Sequence, residues 1–80
     1  MPTTGITARD HLDEVIARAL RAWDAEGRIS AYAELLVGLA THPRTQNLLR
    51  GFDTLSFVER FLVGYASRED FEVFLRGFEV

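Results

Sequence analysis

The run Asp10-His11-Leu12-Asp13-Glu14 gathers the side chains that bind metals and move protons. On a helix His11 and Glu14 share a face, because they stand three positions apart. A metal site wants three or four converging ligands, and the chain supplies one further histidine, His42. The run reads as the solvated first turn of a helix, where carboxylates meet the positive end of the helix dipole. His42 precedes Pro43 and reads as a cap or turn residue. The hydroxyls Thr7, Thr41, Thr54 and Ser67 each stand near the start of a readable helix, which gives them capping work in place of nucleophilic work. No G-x-S-x-G, P-loop or G-x-G-x-x-G phrase occurs. We expect no catalytic residue, no metal and no cofactor, hence a protein that is not an enzyme.

One phrase carries a family likeness. "GFDTLSFVE", Gly51 to Glu59, resembles the Gly-x-Asp-Ser-Leu phrase at which acyl carrier proteins attach phosphopantetheine. Those proteins are also acidic, helical and of similar length. The resemblance implies a carrier role, with Thr54 in place of the modified serine and 26 residues following it. Read without the resemblance, Asp53-Thr54 is a helix cap.

Charge narrows the choice of partner. Nine basic residues against twelve acidic give a net charge of −3, with no basic block to neutralise phosphates. Six of the aromatic residues are Phe in amphipathic positions, which favours core packing over base stacking. We expect no nucleic-acid partner. Every basic residue is Arg, a bias expected of a GC-rich bacterial genome, although guanidinium forks offer a functional alternative. Cysteine is absent, so no disulfide frame exists. The start "MPTTGITARD" has no apolar stretch of the signal-peptide kind. The longest apolar runs, "LLVGLA" and "FLVGYA", fall far short of the ~20 residues that span a bilayer. These features predict a cytoplasmic protein that does not enter a membrane.

Eighty residues make a single helical domain, 1–80, with 1–6 as a flexible N-terminus. Thr7-Ala8-Arg9-Asp10 has the hydroxyl-x-x-acid form of a helix start. Leu12, Val15, Ile16, Ala19, Leu20 and Trp23 then recur at helical spacing, and Gly27 supplies a stop. This predicts a helix over about 8–26. Further helices are expected over about 30–40, 43–50, 55–66 and 68–77. The third-from-last break falls at Thr41-His42-Pro43. The fourth of these five helices would use Leu55, Val58, Phe61, Leu62 and Tyr65 as its apolar face.

"LLVGL" at Leu35 returns as "LLRGF" at Leu48, "FLVGY" at Phe61 and "FLRGF" at Phe74, at 13-residue intervals. Thirteen residues make about 3.6 turns of helix, so one continuous helix would scatter the pattern around its surface. A short helix followed by a glycine turn would not. Gly51 and Gly77 are therefore expected to follow helix ends in the left-handed region, while Gly38 could also lie inside its helix. Two-element solenoid units are longer than this, so the expectation is an all-α fold: a compact single-domain bundle of four or five short helices.

All six Phe residues lie from Phe52 onward. In the last helix Phe71, Phe74, Leu75 and Phe78 form one stripe, and Val73 points elsewhere. With the sequence closing at Val80, that second apolar direction is expected to be covered by another chain. The five residues are the candidate interface. The expected function is a small acidic, non-enzymatic protein–protein interaction module, homodimeric, acting as a regulator, inhibitor or accessory subunit. The alternative is an acyl-carrier-like or small-ligand-binding helical domain.

Overall fold

The computed structural model describes residues 7–51, 54–64 and 66–78. Among them there is no strand, and the fold is a small all-α bundle. Helix α1 runs Ala8–Glu26, α2 Arg28–Ala40, α3 Pro43–Gln46, α4 Thr54–Phe57 and α5 Arg68–Arg76. A 3-10 turn, Asn47–Gly51, follows α3, and a π-helical segment, Val58–Val63, continues α4.

Helix α1 starts as its sequence says. The Thr7 side chain accepts from the Asp10 amide at 3.1 Å, and Leu12, Val15, Ile16, Ala19 and Leu20 are buried. Gly27 adopts φ 105° and ψ −171°, a region closed to residues with a Cβ. Its amide bonds the Ala22 and Trp23 carbonyls, and its own carbonyl accepts from Ala31. One glycine thus ends α1 and starts α2, two residues earlier than the expected start at Ser30.

Helices α1 and α2 form the main packed pair. Gly38 lies inside α2, not after it. A Cβ placed on Gly38 would stand 2.7 and 2.8 Å from the two γ-methyl carbons of Val15. The close approach of the two helices needs a residue without a Cβ here, so of the two expected placements of Gly38 the one inside its helix holds. The expected break at Thr41-His42-Pro43 is present, with Pro43 opening α3. The single helix expected over 43–50 is instead α3 followed by the 3-10 turn. Thr45 explains part of the change: it is fully buried, and its hydroxyl donates to the Leu39 and His42 carbonyls at 2.8 and 3.1 Å. That bond ties α3 to the end of α2.

The C-terminal half is an aromatic cluster laid against this pair. Phe57 and Phe61 are buried with ring centroids 4.8 Å apart. Phe71 stacks on Trp23 at 4.9 Å and meets Phe61 edge-on at 5.6 Å. Tyr32 of α2 stacks on Phe57 at 4.7 Å. Of the apolar face expected for the fourth helix, Phe61 is core and Val58 is half-buried, while the side chains of Leu55, Leu62 and Tyr65 lie outside the described residues.

Two glycines of the repeat part company here. Gly64 is extended, φ −78° and ψ −169°, and a Cβ on it would meet the Glu59 carbonyl oxygen at 2.5 Å and that of Arg60 at 2.9 Å. Gly77 is right-handed, φ −80° and ψ −10°, which corrects the left-handed expectation. The chain tightens into a last 3-10 turn, with amide bonds from Gly77 to Phe74 and from Phe78 to Leu75. That path keeps the Phe78 ring edge-on to Phe74 at 5.2 Å. Gly51 is the last residue of the earlier 3-10 turn, and the expected flexible N-terminus, residues 1–6, lies outside the described residues.

These geometries separate the glycines experimentally. Gly64→Ala forces a Cβ onto backbone oxygens and should cost more than about 2 kcal/mol, beyond ordinary core overpacking. Gly77→Ala meets only ordinary contacts, 3.4 Å and longer, and should change stability by less than about 0.5 kcal/mol. Urea denaturation of the two variants checks both; equal losses would refute the assignment.

Candidate functional site

Three polar side chains converge where α1, α2 and α3 meet. His11, in the first turns of α1, places Nε2 2.7 Å from the Gly38 carbonyl oxygen. The Thr41 hydroxyl donates to the same oxygen at 2.8 Å and lies 3.1 Å from His11 Nε2. The His42 ring stacks on His11, centroids 5.4 Å apart, and its Nδ1 accepts from the Arg44 amide at 3.1 Å. His42 is therefore the side-chain cap of α3.

A hydroxyl beside an imidazole nitrogen has the outline of a nucleophile and its base. The Gly38 carbonyl decides otherwise. A carbonyl oxygen only accepts, so His11 Nε2 must donate to it and carries its proton there. No lone pair on that nitrogen faces Thr41, whose own proton is also directed at Gly38. His11 and Thr41 serve one carbonyl near the end of α2, which also takes a long bond of 3.4 Å from the Thr41 amide. The arrangement works as a clamp.

Beside the clamp lies a half-open groove of about 230 Å³, lined by His11, Glu14, Val15 and Arg18 of α1 and by Glu34, Val37, Gly38 and Thr41 of α2. Glu14 is held by Arg18 at 2.8 Å, and Asp13 by Arg9 at 3.1 Å. The acidic run at Asp10 is thus spent on surface ion pairs one helical turn away. Among the described residues no three His, Asp or Glu side chains are placed to share a metal.

A second polar anchor is Arg28. Its guanidinium donates to the Phe61 carbonyl at 3.0 Å and to the Ala66 carbonyl, and it lies 4.8 Å from the centroid of the Trp23 ring. It satisfies one carbonyl of the π segment, near whose end a helix lacks internal partners, and one just beyond it. Across the bundle Asp24 of α1 pairs with Arg68 at 2.7 Å, and Glu72 accepts from Arg68 and Arg76. These exposed pairs contribute little each.

The candidate interface residues are divided by the fold. Phe71 and Leu75 are fully buried in the chain's own core. Phe74 and Phe78 are half-buried against that core. Val73 is 73% exposed. Ile29, Val37 and Val63 are also large, apolar and well exposed, at 76, 64 and 76%. The sequence reading missed the pairing of His11 with His42. Their separation of 31 positions and unlike local contexts offer no periodic signal.

What this geometry defines is a class: a small all-α bundle closed by a polar clamp. Compared with known proteins, the chain is matched by no family model, no curated protein and no solved structure.

The clamp predicts a non-additive pair. His11→Ala and Thr41→Val should each cost about 1 kcal/mol, the usual worth of one hydrogen bond. Because both serve one carbonyl, the double variant should depart from the sum by at least about 0.5 kcal/mol. Chemical denaturation of the four proteins measures it, and strict additivity would show that the two side chains act separately.

Proposed function

We propose that the chain is a small, non-enzymatic protein–protein interaction module that associates with a second copy of itself, serving as a regulator, inhibitor or accessory subunit. The observation that carries the reading is Val73. It stands on α5, whose Phe71 and Leu75 fill the core, yet it is 73% exposed. The Arg68–Glu72–Arg76 ion pairs flank it on the same helix. An apolar centre with a charged rim is the common composition of a protein interface. A closed pair is the commonest way for such a face to be covered. Ile29, Val37 and Val63 add to the apolar surface available to a partner.

The clamp chemistry supports a non-catalytic role, since the imidazole nearest a hydroxyl has its proton committed to Gly38. The groove between α1 and α2 favours a second reading, a small-ligand-binding domain. Its volume lies below the ~300–1,000 Å³ of typical ligand sites. The acyl-carrier form of that reading depends on Thr54, which is the first residue of α4.

Sedimentation of the full chain tests the first reading. The expected result is a dimer at high micromolar concentration that Val73→Arg converts to a monomer. The variant's unfolding midpoint should match the parent's at concentrations where both are monomeric, because Val73 adds nothing to the core. A parent that is monomeric throughout overturns the homodimer. Removing the chain beyond Asp70 is not a useful control, since it also deletes the buried Phe71 and Leu75.

A further inference from the structure

Both histidines of the chain lie face to face at the joint between the α1–α2 pair and the rest of the bundle. Their bonding is opposite in kind. His11 donates from Nε2 to Gly38, so a second proton, taken at Nδ1, leaves that bond intact. His42 uses the Nδ1 lone pair to accept the Arg44 amide. A proton there turns the acceptor into a donor that faces another donor. The ring centroids are 5.4 Å apart, well inside the ~8 Å screening length of physiological salt, so two cationic rings repel.

Charged groups of three helices surround the corner. Glu14 and Arg18 of α1 and Glu34 of α2 line the groove with His11. Asp10 precedes His11 in α1, and Arg44 of α3 follows His42. Glu14 and Arg18 are paired with each other. A proton taken at His11 Nδ1 leaves the bond to Gly38 in place, whereas one taken at His42 Nδ1 displaces the α3 cap.

We propose that the His11–His42 stack is an acid-sensitive latch. With His42 neutral, its Nδ1 holds the start of α3, and Thr45 anchors that short helix to the Leu39 carbonyl. With both rings charged, the cap is lost, and α3 with the following 3-10 turn loosens from α1 and α2. This segment joins the α1–α2 pair to the aromatic half, so loosening it frees one half to move against the other. The stabilisation is present while His42 is neutral. It is lost once acid places a proton on the His42 Nδ1 that accepts the Arg44 amide.

The test is thermal unfolding of the full chain at about pH 7.5 and about pH 5.5, both above ordinary carboxylate titration, beside the variant His42→Asn. Asparagine caps a helix without titrating. The parent's midpoint should fall about 4–8 °C further than the variant's, the shift expected for one cap in a chain of this length. In the parent itself, hydrogen-exchange protection of the Arg44 amide should drop about tenfold relative to Ala31 over the same step. The second measurement decides the matter if the variant fails to fold. Parallel midpoint shifts in the two proteins overturn the latch, and so does an Arg44 amide equally protected at both pH values.

Discussion

The close approach of α1 to α2 at Val15 and Gly38 is the constraint on which the rest depends. Gly38 lacks a Cβ, so the Val15 methyls occupy its place and the two helix axes can draw together. The approach brings His11 within reach of the Gly38 carbonyl, which gains a donor from α1 beside those that Thr41 supplies. It also fixes the level at which α2 stops, and with it the place where Thr41, His42 and Thr45 turn the chain. A glycine within a helix costs up to about 1 kcal/mol of propensity against alanine, a loss that the buried contact of α1 with α2 offsets.

The aromatic half solves a different problem. Once α1 and α2 have packed, Trp23 and Tyr32 still need cover. Phe57 stacks on Tyr32, and Phe71 stacks on Trp23. Offset and edge-on ring pairs of this kind add about 0.5–1.5 kcal/mol each beyond the area they bury. Arg28 ties the halves together by lying over Trp23 while its guanidinium serves a carbonyl of the π segment. The Asp24–Arg68 pair adds orientation between α1 and α5.

What remains for a partner is the surface that this packing does not use. The helix with the strongest aromatic stripe turns that stripe inward, and Val73 is the large apolar side chain it leaves in water. The candidate interface is therefore narrower than the stripe suggests, with Phe74 and Phe78 at its edge. On the opposite kind of surface, the clamp spends its imidazole and hydroxyl protons on a backbone carbonyl. Polar groups of reactive type are here bound into structure, and this supports reading the molecule through its contacts.

Local sequence alone made legible the helical class, the start of α1 at Thr7, its stop at Gly27 and the break before Pro43. These are local matters: a hydroxyl three residues from an amide, a backbone angle open to glycine, a ring that fixes φ. The inward stripe of α5 was legible for the same reason, since helical periodicity sorts one face from another. The 13-residue repeat was legible as a pattern but not as a cause. Its glycines sit inside a helix at Gly38, against the Glu59 and Arg60 carbonyls at Gly64 and in a right-handed turn at Gly77, and the first of them answers to Val15 of another helix, a neighbour that the local phrase does not contain. Only the tertiary structure could bring His11 to His42 and Arg28 to the Phe61 carbonyl. Those pairs lie 31 and 33 positions apart, where no backbone periodicity reaches and packing alone sets the distance.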